Sequence, residues 1–410
     1  MTNQRIDNDF EIVHDPTNSS DAPEESENIV LEEIHHIQSN HEIHVDRNGK
    51  QKKYNKKHLK FISRLKKNKI FKVLNKIGFI IILLILILLV TGLVYFFISR
   101  EIGKRSLIKN NSNAVISVNK NAQSEDNGQT VTYKGETYKY NLDLASIVIL
   151  GIDESELANI DGNAGTADAV YILTFDTKTS KCSLITVNRD TMVDVHVRSR
   201  SGKEMGYEKM QLAAAYAYGD GRESSCENTL ESLSRIFYNI PFTNYVALSW
   251  DSIGPLNDAI GGVTLKCLED VHTTYSTFTK GETLTLHGQD AWSYVKYRDT
   301  SILESNPLRL SRQRQYIKTY VDKMLPMVRD DLSFAGKLYD VAKPYMCTTL
   351  SREEVIYIAS EMVPTLYSTK DINFVDIKGE ITQPGKYAEF TPDEDNLYET
   401  ILKVFYVKQD

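Results

Sequence analysis

A 22-residue apolar run, residues 77–98 (IGFIIILLILILLVTGLVYFFI), constrains the fold of this chain more than any other feature. At about 1.5 Å per residue, a helix of that length crosses a hydrocarbon layer of about 30 Å. A cleaved signal peptide would begin within the first residues and have a shorter apolar core, of about 7 to 15 residues. The run therefore predicts one transmembrane helix over residues 76–99.

Charge is distributed very unevenly around this run. Residues 1–49 hold 12 acidic and 2 basic side chains, and residues 50–76 hold 12 Lys or Arg and no acid. The positive-inside rule therefore places residues 1–75 in the cytoplasm and residues 100–410 outside, as a single-pass type II protein of the cell membrane. Anionic lipid headgroups explain a basic segment beside a membrane helix, so no nucleic-acid partner is predicted.

Composition divides the chain into five segments. Residues 1–75 are predicted to be a disordered cytoplasmic tail that ends in the basic run, because they are polar and poor in aromatic residues. After the membrane helix at 76–99, residues 100–142 are predicted to be an extracellular stalk, because NNSNAVISVNKNAQSEDNGQT is polar and lacks periodicity, and the folded domain should begin near TYKGETYKYNLDLASIVILGID. Residues 143–330 are predicted to form the core domain, and residues 331–410 a helical extension packed on it.

The predicted core alternates strand-like and helical runs. SIVILGID, AVYILTFDT and KCSLITVN are rich in Val, Ile and Leu, and the turn DTKTSK joins the second to the third as a hairpin. YEKMQLAAAYAYGD and SNPLRLSRQRQYIKTYVDKML are predicted helices, with Asn306 as the N-cap of the latter and Pro307 at its first position. This order predicts an α/β fold in which helices flank a mixed central β-sheet.

Four cysteines lie on the predicted outer side, where disulfides persist: Cys182, Cys226, Cys267 and Cys347. Four cysteines allow three complete pairings, and the sequence does not choose among them. Because two of these residues lie in strand-like runs, buried free thiols are an equal alternative to bridges.

Charged residues stand where the predicted elements end. Asp153 follows one strand, Arg189 and Asp190 follow another, and Arg298 ends a helix. Each alone has an ordinary structural explanation, such as a turn former or a salt bridge. Together with the arginines at the start of the next helix, they form a set suited to a phosphate group and a divalent cation. The chain has no G-x-S-x-G, P-loop or G-x-G-x-x-G motif.

Six stretches, in this order, resemble the LytR-CpsA-Psr family: ILGID, GTADAVYILTFDTKTSKCSLITVNRDT, YEKMQLAAAYAYG, NYVALSWDSIGPLNDAIGGV, LHGQDAWSYVKYRD and RLSRQRQYIK. The resemblance covers about residues 143–322. It implies an α/β fold that holds a polyprenyl phosphate or pyrophosphate lipid in an apolar groove, on the cell-wall side of a Gram-positive bacterium. It also implies transfer of a lipid-linked anionic glycopolymer, of teichoic acid or capsule type, onto a peptidoglycan hydroxyl as a phosphodiester.

The same resemblance assigns roles to individual residues. It implies an Mg²⁺ (or Mn²⁺) site at Asp153 and Asp168, and charge stabilisation of the transferred phosphoryl group by Arg189, with Asp190 holding that loop. The residues implied to bind the pyrophosphate are Lys209, Lys296, Arg298, Arg309, Arg312 and Gln313.

The sequence also departs from the family pattern. Thr166 and Lys296 stand where the family commonly has arginines, Asn306 where it has an aspartate, and Asn188 where it has a proline. Three functions therefore stay open at this stage. They are an active glycopolymer transferase, a non-catalytic polyprenyl-phosphate-binding scaffold of envelope assembly, and a sensor that signals to the acidic tail.

Overall fold

The computed structural model describes residues 69–108, 114–154, 157, 165–199, 202–298 and 305–409. Most of the predicted cytoplasmic tail lies outside the described residues, so its disorder stays a prediction.

The first described element is the helix α1, Lys69–Ile108. Within it, the 23 residues Lys72–Val94 are long and apolar enough to cross a membrane. The helix extends beyond the predicted 76–99 at both ends. Its last turns belong to the folded region that follows, because Leu107 is buried in an apolar cluster and Arg100 forms an ion pair with Glu361.

The remaining helices and strands are shorter than α1. The helices are α2 Glu223–Ile236, α3 Ile253–Ala259, α4 Gly288–Lys296, α5 Ser305–Asp330, α6 Ser333–Ala342, α7 Arg352–Met362 and α8 Glu394–Phe405, with 3-10 turns at Leu212–Tyr218, Trp250–Ser252, Lys343–Tyr345 and Thr369–Asp371. The strands are β1 Ala122–Ser124, β2 Thr130–Tyr133, β3 Glu136–Tyr140, β4 Leu144–Ile152, β5 Ala167–Asp176, β6 Cys182–Val187, β7 Met192–Arg198, β8 Glu204–Gln211, β9 Asn244–Ser249, β10 Val263–Lys266, β11 Val271–His272, β12 Thr277–Phe278, β13 Thr283–Leu286, β14 Met346–Thr348, β15 Ile372–Asp376, β16 Gly379–Thr382, β17 Glu389–Pro392 and β18 Tyr406–Lys408.

A six-stranded mixed sheet is the centre of the fold, in the order β14-β9-β4-β5-β6-β15. The strands β4, β5 and β6 are antiparallel neighbours, whereas β9 runs parallel to β4 and β15 runs parallel to β6. Both the predicted mixed sheet and the predicted hairpin between β5 and β6 are confirmed.

The two faces of the central sheet have different roles because side chains alternate along each strand. Leu150, Ile172 and Ile185 point to one face, where they are fully buried in the main apolar core together with residues of α2. Their neighbours Tyr171 and Leu184 point to the other face and line cavities beneath α5. One face thus supplies stability and the other forms the floor of a groove.

The predicted stalk is partly wrong. Residues 100–108 are helical, and residues 122–140 form β1, β2 and β3, which make a four-stranded sheet with β18 from the end of the chain. Val131 and Tyr133 are buried in the main core. The physical reason is the alternation in TVTYKGETYKY around Lys134 and Gly135, whose positive φ angles of 52° and 80° make a two-residue hairpin turn.

The C-terminal region is more than a helical extension. It contributes both edge strands of the central sheet, because β14 pairs with β9 and β15 pairs with β6. The predicted boundary at residue 330 therefore does not separate two folding units. The predicted helix over YEKMQLAAAYAYGD is also corrected, since its first part is the strand β8, paired with β7, and only the 3-10 turn Leu212–Tyr218 is helical.

The cysteines are free thiols in three separate apolar clusters. Cys226 and Cys347 share the main core, where a hydrogen bond between their side chains raises the pKa of Cys226 and lowers that of Cys347. In a glutathione redox buffer we therefore expect at most one disulfide, between these two residues, formed by exchange with oxidised glutathione. Peptide mass mapping checks this, and any bridge that contains Cys182 or Cys267 would contradict the structure.

Candidate functional site

A groove runs between the central sheet and α5. It contains two cavities of about 310 Å³ and about 350 Å³. The first has a charged end lined by Asp168, Arg189 and Arg309, whereas apolar side chains dominate the lining of the second. The residues that line both cavities are Ala169, Tyr171, Leu184, Gln313 and Ile317.

The charged end is built on three elements. Asp168 is the second residue of β5, Arg189 lies in the loop after β6, and Arg309 lies in the first turns of α5. The Asp168 carboxylate, 7% exposed, forms an ion pair with Arg189 through Oδ1, and Arg309 Nη1 lies 3.7 Å from its Oδ2. Thr166 donates a hydrogen bond of 3.0 Å to Asp168.

The cluster carries excess positive charge. Burial is the largest effect and lowers the pKa of Arg309; Asp168 opposes that shift, and the charges of Arg298 and Arg189 add to it. Arg189 and Arg309 share the Asp168 carboxylate, and Arg298 is a third positive charge beside the two carboxylates of Asp168 and Asp190. Such an arrangement is suited to an anionic group, because a phosphate supplies the negative charge that the cluster lacks.

The loop that carries Arg189 is held from several sides. The Asn188 side chain accepts a hydrogen bond of 2.9 Å from the Asp190 backbone N–H, so Asn188 shapes the turn. Gln211 Nε2 donates to Asp190 Oδ1 at 3.0 Å and to the Ala388 carbonyl, and Phe390 N–H donates to the Asp190 carbonyl at 2.8 Å.

The folded structure disfavours the ionised form of the Asp190 carboxyl. Burial is the largest effect and raises its pKa, although the neighbouring Arg189, 3.5 Å away, opposes that shift. A carboxyl whose pKa is raised by folding destabilises the protein once it ionises, from the unfolded value of about 3.9 upward. For Asp190→Asn we expect a free energy of unfolding at pH 7 equal to or above that of the wild type.

That advantage of Asp190→Asn should shrink to zero at pH values below about 4, where the wild-type carboxyl is protonated. Urea unfolding at both pH values, followed by circular dichroism, measures the difference. A variant that is less stable than wild type at pH 7 alone would contradict this, because it would show that Arg189 more than offsets the burial.

A second charged pair lies beside the groove. Lys296, the last residue of α4, lies with its Nζ 3.5 Å from Asp153 Oδ1, at the end of β4. The ammonium group also lies 5.6 Å from the ring centre of Trp250 and 5.0 Å from that of Trp292. Asp153 is exposed, and its charge acts on Arg309.

Two more of the predicted residues, Arg298 and Lys209, are exposed. Burial dominates the pKa of both Asp190 and Arg309, and the Arg298 charge lowers both, so Arg298 lies near the cluster. Lys209 lies on β8 in register with Asp194, on the same face of the strand as Gln211. Among the residues that the structure describes, Lys209 makes no ion pair.

Arg312 lies away from the other predicted residues. It is 1% exposed, and its guanidinium contacts the Glu269 carboxylate and the backbone carbonyls of Tyr294 and Tyr297 at the end of α4. Gln313, the next residue, does line the groove and donates to the Val295 carbonyl at 3.4 Å. The predicted common face of α5 therefore runs through Arg309 and Gln313, whereas Arg312 fixes α5 to α4.

The sequence did not identify several residues of the groove. Trp250 stands directly after β9, a position at a strand end that could have marked it. Phe374 and Phe390 line the charged cavity from the C-terminal region, and Gln211 holds the Arg189 loop from β8. These three carry no local signal, because only the pairing of distant segments brings them to the groove.

The donor set around the groove bears on the predicted metal. The described residues contain no group of three or more His, Cys, Asp or Glu side chains that could hold a metal ion. Mg²⁺ commonly takes one or two carboxylates and completes its shell with phosphate oxygens and water. Asp153 is exposed and lies 3.5 Å from Lys296, whereas both oxygens of Asp168 already contact arginines, so a metal ion held by these two residues would need further oxygens from a bound phosphate.

The LytR_cpsA_psr family model matches residues 107–403. The chain belongs to the LytR-CpsA-Psr family. The polyisoprenyl-teichoic acid–peptidoglycan teichoic acid transferase TagU of Bacillus licheniformis is 24% identical over 220 residues, which are 54% of this chain and 64% of that relative. The biofilm regulatory protein A of Streptococcus mutans is 26% identical over 264 residues, which cover 61% and 60% of the two chains.

A solved structure of this family has the same fold. The crystal structure of TagV from Bacillus subtilis superposes with a TM-score of 0.51 at 23% identity, covering 64% of this chain and 96% of that chain. The match confirms the LytR-CpsA-Psr fold predicted from the six sequence stretches.

Proposed function

We propose that this protein transfers a glycopolymer from a polyprenyl pyrophosphate carrier onto peptidoglycan by phosphoryl transfer. The observation that carries the proposal is the Asp168–Arg189–Arg309 cluster at the charged end of an apolar groove. An anion site joined to an apolar cavity matches a ligand that has a pyrophosphate head and a hydrocarbon tail. Relatives named as teichoic acid transferases support the same class of reaction.

The groove offers the tail a continuous apolar path. From Arg309 the lining follows one face of α5 through Gln313 and Ile317 to Tyr320, about 16 Å along the helix axis at about 1.5 Å per residue. The opposite wall is the sheet face that carries Tyr171 and Leu184. The pyrophosphate would lie at the arginines, with the isoprenoid chain along α5.

The reaction would exchange the phosphoanhydride bond of the pyrophosphate for a phosphodiester bond to the acceptor. A peptidoglycan hydroxyl attacks the phosphorus bonded to the saccharide, and the bond from that phosphorus to the oxygen of the polyprenyl phosphate breaks. Polyprenyl monophosphate leaves, and the hydroxyl proton passes to water. Arg189 and Arg309 stabilise the charge on the phosphoryl oxygens, and positioning with charge neutralisation suffices for such a transfer.

Mg²⁺ (or Mn²⁺) is part of the proposal. Asp153 and Asp168 would hold it together with pyrophosphate oxygens, and it would neutralise charge on the leaving phosphate. Asp168 also keeps Arg189 and Arg309 oriented, so its loss would affect both the metal and the arginines.

The proposed location follows from the helix α1 and the charge asymmetry. The basic segment before the helix would face the cytoplasm, and the catalytic region would face the cell wall, as a single-pass type II protein. The lipid-linked substrate and the peptidoglycan acceptor are both reached from that side.

A non-catalytic lipid-binding scaffold is the second candidate. It is favoured by Thr166, which hydrogen-bonds Asp168 where the family commonly supplies another phosphate-binding arginine. Such a protein would keep the groove and the anion site but would lack transfer.

One experiment separates the two candidates. The full chain in lipid nanodiscs is incubated with a polyprenyl-pyrophosphate-linked saccharide, Mg²⁺ and peptidoglycan oligomers, and products are followed by mass spectrometry. A saccharide phosphate on the acceptor, absent with EDTA and absent for Asp168→Ala, supports the transferase. Tight lipid binding without product, under conditions in which a TagU relative gives product, would exclude the transferase and support the non-catalytic scaffold.

A further inference from the structure

Two buried polar groups beside the groove have no hydrogen-bond partner within the described part of the chain. They are Ser249 Oγ and Trp250 Nε1, in residues that are 2% and 7% exposed. Both residues line the 350 Å³ cavity, whose other walls are almost wholly apolar. Neither atom is accessible to solvent, so the cavity presents an apolar wall at this point, suited to the isoprenoid tail.

A row of aromatic rings leads outward from that point. The Lys296 ammonium lies 5.6 Å from the ring centre of Trp250 and 5.0 Å from that of Trp292. Trp292 in turn meets Tyr275 edge-to-face at 6.2 Å. Tyr275 is 68% exposed, which leaves a large aromatic side chain in solvent at the outer end of the row.

The inner end of the row adjoins the charged cluster. Lys296 contacts Asp153 at 3.5 Å, and the Asp153 charge acts on Arg309. A ligand held by its pyrophosphate at Arg189 and Arg309 would therefore place the group bonded to that pyrophosphate near Lys296 and the aromatic row.

We propose that Trp292, Tyr275 and Lys296, which continue outward from Trp250, form a subsite for the first sugars of the lipid-linked saccharide. The proposal rests on the proposed function. A sugar ring offers oxygen acceptors to the Lys296 ammonium, and its C–H face packs on aromatic rings. An isoprenoid tail lacks the oxygens, and inorganic phosphate lacks the apolar face.

The donor saccharide is the occupant that the geometry favours. It is covalently attached to the phosphate at the arginines, so its first sugar must begin within a few bonds of the cluster. An acceptor glycan has no such tether to Lys296 and Trp292.

The chain provides its own reporters, because Trp250 and Trp292 are its only two tryptophans. In Trp292→Phe the emission reports on Trp250, and in Trp250→Phe it reports on Trp292, while each variant retains an aromatic ring. The ligands are polyprenyl pyrophosphate and the same lipid carrying an N-acetylhexosamine, added to the full chain in nanodiscs. We expect both lipids to change Trp250 emission and only the sugar-bearing lipid to change Trp292 emission.

Affinity provides the second readout. Removal of an exposed stacking ring by Tyr275→Ala should weaken binding of the sugar-bearing lipid about fivefold to tenfold and leave the sugarless lipid unaffected. Tyr367→Ala is the matched control, since Tyr367 is 67% exposed and lies beside Arg329, outside the groove lining. It should bind both lipids as the wild type does.

Four results would overturn the subsite. Equal Trp292 responses to the two lipids would show that the sugar makes no contact there, as would equal effects of Tyr275→Ala on the two lipids. A Trp292 response to peptidoglycan oligomers and not to the sugar-bearing lipid would assign the row to the acceptor. If neither lipid changed Trp250 emission, the lipid groove of the proposed function would fail together with the subsite.

Discussion

Arg189→Ala should lower the rate of saccharide phosphate transfer about 10²-fold to 10³-fold, which is the usual cost of removing one preorganised group that stabilises charge in a transition state. Arg189 is positioned for that role by its ion pair with Asp168 and by the loop that Asn188 and Gln211 hold. Binding of the lipid should weaken much less, because Arg309 and the apolar groove remain.

Initial rates at saturating lipid, measured by mass spectrometry for wild type and variant, give the comparison. Arg235→Ala is the control, since Arg235 pairs with Glu231 at 2.8 Å on α2 and touches no part of the groove lining. A variant at position 189 that loses lipid affinity with an unchanged transfer rate would show that Arg189 only binds.

Arg312→Ala should lower the free energy of unfolding by about 3 to 5 kcal/mol, the range found when one member of a buried ion pair is removed. The substitution would leave the Glu269 carboxylate and the carbonyls of Tyr294 and Tyr297 without their donor. It would also remove the guanidinium from beside the rings of both tyrosines, 5.6 Å and 5.3 Å away. Urea unfolding of the full chain in detergent, followed by near-ultraviolet circular dichroism, measures the loss.

Arg309→Ala, one turn earlier on the same helix, should behave in the opposite way. Burial already disfavours the Arg309 charge, and Asp168 keeps its ion pair with Arg189, so the stability cost should be about 1 kcal/mol or less. Lipid binding should instead be strongly reduced. A stable Arg312→Ala protein that had lost lipid binding would contradict this division and would restore Arg312 to the pyrophosphate site.

The contrast between Arg309 and Arg312 shows what residue spacing predicts on a helix and what it does not. Their separation of three residues predicts neighbouring positions on a helix, which is correct, but the packing partner of each position is set by distant segments. Glu269 and the end of α4 bind Arg312, while Asp168 on β5 binds Arg309. No local pattern distinguishes the two.

The central strands and the loop of Arg189 were predictable because their signals are local in the sequence. Apolar runs of six to ten residues bounded by turns specify β4, β5 and β6, and the hairpin fixes their register. Charged residues at the ends of such strands stand out because they interrupt the apolar pattern. The edge strands β14 and β15 are short, and their membership of the sheet depends on long-range pairing.

The hairpin of β2 and β3 has a local signal in the sequence. Thr130 to Tyr140 alternates apolar and polar residues around the turn Lys134-Gly135, which is typical of two strands. The polar composition of the preceding residues obscures this alternation. By contrast, the approach of Phe390 and Gln211 to Asp190 has no counterpart in the local sequence.

The measurement that tests the central claim most directly follows the phosphorus atoms. The full chain is given peptidoglycan oligomers and a polyprenyl-pyrophosphate-linked saccharide in which the sugar-proximal phosphate carries ¹⁸O and the lipid-proximal phosphate does not. The account predicts that the labelled phosphate joins the saccharide to the acceptor and that unlabelled polyprenyl monophosphate is released. Transfer of the saccharide without phosphate, with release of labelled polyprenyl pyrophosphate, would contradict phosphoryl transfer at the Arg189 cluster.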